Sequence, residues 1–410
     1  MATPLPLPAP AERTSETIRR YRDRSGPVIR VELPGGVPAW LVSSYELVNE
    51  VLTHDGLLYS KDPRNFTALN DGTIPADWPL RRLIEGDHLL VKDGEDHRRL
   101  RGLINHAFTP GRVQRLEPRV RQITDELLRQ LAAEARHADE VDLVHLFTEP
   151  LPVIVICELF GIPEGERFQI RDWSGILLSH AAAPEQVMAA QRGLLGYLSH
   201  YIGRRRDEPG DDLTSALIRA QEDDGDRLSD EEMVWILWLV LIAGHETTVH
   251  LIANAVVALC ADPGQLAFAR DNDAWEQVVE EALRSRNSVI GAAFRYPLRD
   301  VRLGGVTIGA GEPVLLGVSG AGTDPARFGA DAQRFDLTRA PDVHLSFGRG
   351  PHFCLGAPLA RLEARVALSS LFARYPQLRP AVAPGAIPYT SSLITEGPAA
   401  LPVILDPREP

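Results

Sequence analysis

Lysine is nearly absent from this chain. Of its 43 basic residues only Lys61 and Lys92 are lysines, an arginine bias that fits a GC-rich genome and says nothing of activity. Positive charge is short overall, with 56 acidic residues and a formal net charge of -13. That argues against nucleic acid or an anionic membrane as the main partner, because both need a basic face. Cysteine is scarce: Cys157, Cys260 and Cys354 form an odd, sparse set rather than a disulfide framework, which points to a reducing cytoplasm. Long apolar runs are missing too. The longest, Met233 to Gly244, is too short to span a bilayer and reads as a buried helix. The Pro-rich start, Met1 to Pro10, has no charged or apolar stretch of the secretory kind, so no signal peptide is expected. What is present is the balance of a soluble globular protein, 44% hydrophobic and 24% charged. The chain of 410 residues is long enough to enclose a cofactor.

The patterning predicts one large α-rich unit with a smaller β portion. Val28 to Leu33 and Val37 to Val42 flank Pro34-Gly35-Gly36 and read as a hairpin. Ser60 to Asp93 mixes Pro, Gly, Asp and Asn with Phe66, Leu69, Ile74 and Trp78, the composition of a functional lid. Apolar spacings of three and four predict a helix over 112–136. Further helices are expected over 151–160, 213–221, 275–286 and 357–375. Ser229, with Glu231 and Glu232 in the first turn, should cap a long helix running to about Leu259. Short strands are expected over 292–314. The expected organisation is a single domain over 1–410. Its parts are a β-rich N-terminal part at about 28–60, a helical core at about 95–290 and a C-terminal part at about 291–410.

A lone cysteine is usually a small buried hydrophobe, and Cys157 and Cys260 fit that description. Cys354 does not. It sits in Phe347-Gly348-Arg349-Gly350-Pro351-His352-Phe353-Cys354-Leu355-Gly356, just before a helix. Glycines allow a tight turn and close approach to a flat ligand. A helix N-terminus favours thiolate over thiol, and such a thiolate suits the axial position of haem iron. The pattern Phe-Gly-x-Gly-x-His-x-Cys-x-Gly resembles the cytochrome P450 family, and Ala357-Pro358-Leu359-Ala360-Arg361-Leu362-Glu363 looks like its bacterial, actinomycete-type members. The resemblance runs over nearly the whole chain. It implies a P450 fold, an α-rich domain with small sheets enclosing haem b, with Cys354 on the iron and Phe347 and Gly356 beside it.

Ala243-Gly244-His245-Glu246-Thr247-Thr248 lies midway along the long helix. Ala243 and Gly244 are small enough for a helix to pass over a haem face, and a Thr hydroxyl can bond back to the preceding turn. The resemblance makes this the oxygen-activation motif, with Glu246 the acid and Thr247 the alcohol that deliver protons. His245 then makes a polar contact rather than a metal bond, and Thr248 is structural. Glu281 and Arg284 share a helix face and match the family's structural pair. His97, Arg101, Arg295 and His352 match positions that hold haem propionates. The substrate pocket is expected at Leu90, Ile242, Ala243, Val289, Ile290, Gly291, Ala292 and Ile394, apolar and mostly small, which suits a bulky apolar molecule. One departure stands out: Ala321-Gly322-Thr323-Asp324-Pro325 replaces the Ala-Asn-Arg-Asp-Pro of many bacterial members, a change expected to alter local packing.

No flavin or nicotinamide segment is evident, so electrons are expected from a separate ferredoxin and its reductase. Arg349, Arg361 and Arg365 offer a basic patch on the cysteine side. The activity implied is insertion of one oxygen atom from O2 into a steroid or secondary metabolite, in the cytoplasm, with no nucleic acid and no membrane involved. Two alternatives share these motifs: oxidative coupling or desaturation of an aromatic natural product, and a non-catalytic haem-thiolate sensor.

Overall fold

The computed structural model describes residues 4–7, 12–75, 78, 80–105, 108–178, 182–223, 228–390 and 392–405, apart from the side chains of Arg82, Leu83, Leu178, Pro184, Asp223, Ala292 and Ala293. The β-branched runs Val28–Leu33 and Val37–Val42 form the expected hairpin, paired from Val28↔Val42 to Leu33↔Val37. They enter a six-stranded sheet in the order Leu5–Pro6, Val28–Leu33, Val37–Val42, Val314–Gly317, Gly291–Pro297, Tyr59–Ser60. The last pairing, Ser60↔Tyr296 and Tyr59↔Pro297, joins the start of the Ser60–Asp93 segment to the strand carrying Arg295. Sequence distance is thereby converted into contact, because Lys61 follows Ser60 directly.

The rest is mostly helix around one large apolar cluster, with two smaller clusters on the faces of the sheet. The long helix spans Asp230–Ala261 and will be called the distal helix. Its N-terminus is fixed by a reciprocal cap, in which Glu232 N–H donates to the Ser229 hydroxyl (3.1 Å) and Ser229 N–H to the Glu232 carboxylate (2.9 Å). The same carboxylate pairs with Arg99, which ties the distal helix to the helix Gly94–Asn105 that bears His97 and Arg101. Among the described residues the distal helix is the one helix long and apolar enough to cross a membrane, and most of it is buried inside the protein.

Periodicity placed one helix over 112–136, but two are found, Pro110–Arg115 and Glu117–Glu134. Pro118 has no N–H to continue the ladder, so the chain breaks at Leu116 and restarts. Among its described residues the Ser60–Asp93 segment is irregular, with short helical turns at Thr67–Asn70 and Arg81–Glu85 and 3-10 turns at Pro63–Asn65 and Leu89–Val91.

The Glu281–Arg284 pair is buried on the helix Trp275–Ser285, with both N···O distances 2.7 Å. Arg284 also donates to the carbonyls of Gly322 (2.8 Å), Ala332 (2.6 Å) and Arg334 (3.0 Å), and Glu281 accepts from Asp336 N–H at 2.9 Å. One ion pair thus staples 322–336 to the helix. The departure at 321–325 has a packing consequence here, because a Cβ at Gly322 would lie 2.1 Å from the Arg284 carbonyl. Only glycine fits.

Candidate active site

The cysteine loop is built by backbone geometry. Gly348 and Gly350 adopt φ of 70° and 73°, a left-handed conformation that side chains disfavour. Cys354 N–H donates back to the Phe347 carbonyl (2.8 Å), and Phe353 N–H to Gly350 (3.1 Å). Gly356 is the cap of the helix Ala357–Arg374. Arg101 reaches across 252 positions to donate to the Phe353 carbonyl at 2.6 Å. Burial pushes the Cys354 thiol up from its ordinary value. The N–H groups of Gly356 and Ala357 and the charges of Arg101 and Arg361 act against that push. Phe347 is half-buried beneath the Arg361 guanidinium, 4.6 Å from its ring centre.

On the distal helix, Ala243 is exposed and Glu246 and Thr247 are partly so, between buried stretches at 236–238 and 248–256. A mostly buried helix thus carries an open stripe at its middle. Thr247 bonds back to the Ala243 carbonyl at 3.1 Å, as its position suggested. His245 is buried and contacts the Leu241 carbonyl through Nδ1 at 2.6 Å, a polar contact within its own helix. At Gly244 a Cβ would meet Ile156 at 3.3 Å, so its smallness also admits the helix Pro150–Phe160. Thr248 is buried and structural.

His97, Arg101, Arg295 and His352 gather in one nest. The His97 and His352 rings lie 4.0 Å apart between centroids. The nest contains three residues that sequence reading did not assign: Lys61, Asp55 and Asp93. Lys61 is buried, and burial together with Arg295 and Arg101 lowers its pKa well below the usual lysine range. Arg295 is committed to Asp55 through Nε and Nη2, both at 2.8 Å. Asp93 accepts from Ser60, from Lys61 N–H (2.9 Å) and lies 3.7 Å from His352 Nε2. Burial, then Arg101 and Lys61, push His97 down to about 4. Burial and Lys61 push His352 down to about 2. His97 Nε2 has no hydrogen-bond partner among the described residues.

Three basic side chains, Lys61, Arg101 and Arg295, therefore face two carboxylates, and two histidines are held neutral by burial first and by the neighbouring positive charge second. Such a nest is made for further anions. Together with a half-open cysteine beside a helix start and an open helix stripe, these residues fit a haem with its two propionates.

The pocket residues divide. Leu90, Val289 and Ile394 are partly exposed, as is expected of a pocket wall, and Val289 bridges to Thr395. Ile242 and Ile290 instead pack into the apolar clusters and back the wall rather than line it. Gly291 is buried, with a notional Cβ 2.8 Å from the Leu393 carbonyl. The Ala292 side chain lies outside the described residues. The basic patch is also smaller than expected. Arg361 is taken by Glu280 (2.6 and 3.0 Å) and Arg365 by Glu117 (2.8 Å), while exposed Arg349 donates to Asn49 (2.7 Å). The Arg361–Glu280 and Arg365–Glu117 pairs line a cleft of about 380 Å³ between the helices Pro110–Arg115 and Ala357–Arg374.

Comparisons with known proteins agree with this geometry. The family model "Cytochrome P450" matches residues 7–208 and 275–401. The chain is 41% identical over 387 residues to the vitamin D(3) 25-hydroxylase of Pseudonocardia autotrophica, covering 93% of this chain and 91% of the relative. It is 41% identical over 380 residues to the cytochrome P450 monooxygenase PikC of Streptomyces venezuelae, covering 92% and 88%. Among solved structures it resembles CxnD, a P450 described as forming a C–S bond in chuangxinmycin biosynthesis, with TM-score 0.87, 34% identity and coverage of 100% and 99%. The chain belongs to the cytochrome P450 family, bacterial haem b enzymes of the monooxygenase class.

Proposed function

We propose that this P450, acting as a single domain in the cytoplasm, inserts one atom of O2 into a bulky apolar substrate of the steroid or secondary-metabolite class. The observation that carries the reading is the open stripe Ala243, Glu246, Thr247 in a mostly buried helix, in a chain whose Cys354 lies free of disulfides at a helix start. When bound, the haem iron supplies the redox centre at which dioxygen is activated. Cys354 would hold the iron. Lys61, His97, Arg101, Arg295 and His352 would hold the propionates, each a donor to an anion. Leu90, Val289 and Ile394 exclude water and orient the apolar substrate. Glu246 and Thr247 handle protons: the Thr247 hydroxyl, held by the Ala243 carbonyl, presents an oxygen to the open side, and Glu246 supplies the acid.

Electrons come from a ferredoxin docking on the cysteine side, at Arg349 and the cleft bounded by the helix Pro110–Arg115. Charge complementarity there would act mainly on association rate. Reduction rates that do not change with ionic strength would remove this docking mode.

The test is turnover with a surrogate ferredoxin system under heavy-isotope dioxygen, over a panel of steroids, macrolide precursors and aromatic cyclic dipeptides. A product with one labelled oxygen supports the reading. The likeness to CxnD favours a second reading, oxidative bond formation, and an unlabelled product that has lost hydrogens would select it. Thr247→Ala should uncouple electron use from product; full coupling in that variant removes the hydroxyl from proton delivery.

A further inference from the structure

Glu246 is not alone on its helix. His250 lies four residues on, with Nε2 3.4 Å from Glu246 Oε1, and the Thr395 hydroxyl donates to that same oxygen at 3.3 Å. His250 is 4% exposed, and neither of its ring nitrogens makes an aligned hydrogen bond among the described residues. Glu246 Oε2 is buried without a partner as well. A buried imidazole with unsatisfied nitrogens, in charge contact with a carboxyl that has an unsatisfied oxygen, is costly to maintain for packing alone.

The ring is also held in place. A Cβ at Gly397 would lie 2.4 Å from His250 Nδ1, so the imidazole sits flush against the Gly397 backbone. One turn further on, Asn254 donates to the carbonyls of Glu396 (3.0 Å) and Arg286 (3.1 Å), pinning the turn that carries Thr395 and Gly397 to the distal helix.

We propose that His250 is the positioning residue of Glu246, holding its carboxyl and refilling its proton. The inference rests on the proton-handling role of Glu246 given above. In the step, the Nε2–H bond of the imidazolium breaks as the O–H bond on the Glu246 carboxylate forms, and the neutral ring is reprotonated by a solvent hydronium ion, which leaves as water. Other titratable groups near the pair are accounted for. His245 is turned to the Leu241 carbonyl, Glu149 acts on His245 from the start of the adjacent helix, and the Glu396 carboxylate is held by Arg13 and Ser15.

The experiment compares haem-loaded parent, Glu246→Gln, His250→Gln and His250→Phe. The readouts are product formed per electron pair, solvent deuterium isotope effect, substrate affinity from the spectral shift, and the carboxylic-acid C=O band of Glu246 in infrared difference spectra. That band is identified by its loss in Glu246→Gln. Both His250 variants should lower coupling about tenfold, enlarge the isotope effect and leave substrate affinity unchanged. His250→Gln should shift the Glu246 band. If His250→Phe fails to retain haem, His250→Gln carries the test. Parental coupling in the His250 variants beside collapse in Glu246→Gln overturns the proposal and leaves Glu246 standing. Lowered coupling with an unmoved band and isotope effect overturns it in favour of a packing role. Parental coupling in Glu246→Gln itself removes the underlying reading, and this one with it.

Discussion

Replacing Arg284 with alanine should destabilise the protein more than any surface change. The side chain is 4% exposed and its partner Glu281 8%. Truncation removes two 2.7 Å charge-assisted bonds and leaves a buried carboxylate whose remaining contacts are the Asp336 N–H and Arg339 at 3.9 Å. It also strips a donor from the carbonyls of Gly322, Ala332 and Arg334. Breaking a buried pair by removing one partner costs about 3–5 kcal/mol. Against a total stability of about 5–15 kcal/mol, that is about a fifth or more. The loss should reach the haem site, because Ser346, at the start of the cysteine loop, donates to the Leu283 carbonyl on the same helix at 2.7 Å. Urea unfolding of the haem-loaded protein, followed by tryptophan fluorescence and haem absorbance, reads both effects. Arg284→Lys keeps the charge but loses the planar fork and should fall between the parent and Arg284→Ala. An Arg284→Ala protein within about 1 kcal/mol of the parent would refute the argument, since a surface ion pair has that value.

Two further predictions concern the nest. Lys61→Met should raise the haem dissociation rate about 10- to 100-fold, the value of one hydrogen bond to a charged group, measured by haem transfer to apomyoglobin. An unchanged rate would exclude Lys61 from the propionate site. Apoprotein stability should fall as pH drops from about 6.5 towards 4. His97 is held down to about 4 in the fold, so the unfolded chain takes up the proton first, and stability present above about 6.5 is lost through that window. The loss is about 2–3 kcal/mol and smaller in the haem-loaded protein; urea midpoints that are equal at pH 7 and pH 5 for the apoprotein would contradict it.

The cysteine loop was legible because its chemistry is local: glycines, thiol and helix start lie within ten residues. The Ser229 cap and the Glu281–Arg284 pair were legible for the same reason, being three residues apart. Lys61, Asp55 and Asp93 were not, because Asp55 meets Arg295 across 240 positions, and Lys61 and Asp93 join the nest only through the pairing of Ser60 with Tyr296 and the bonds of Asp93 to Ser60 and Lys61. The scarcity of lysine was visible, but scarcity does not say where an ammonium points. The 112–136 helix was overextended because apolar period outweighed Pro118. The contact of Gly244 with Ile156 was not legible either, because composition cannot tell which side of a helix faces a neighbour. His250 was not assigned, although it stands four residues from Glu246 on one helix face; only Thr395 and Gly397, far along the chain, give that pair its setting.

The central claim is that Cys354 is the iron ligand of a haem-thiolate enzyme. The direct measurement is the absorbance difference spectrum of the reduced, carbon monoxide-bound protein, parent against Cys354→His, with haem content determined on each. The account predicts the red-shifted Soret band of thiolate ligation in the parent and an imidazole-type band in the variant. A parent spectrum without the thiolate band, or a thiolate band that survives in Cys354→His, would contradict it.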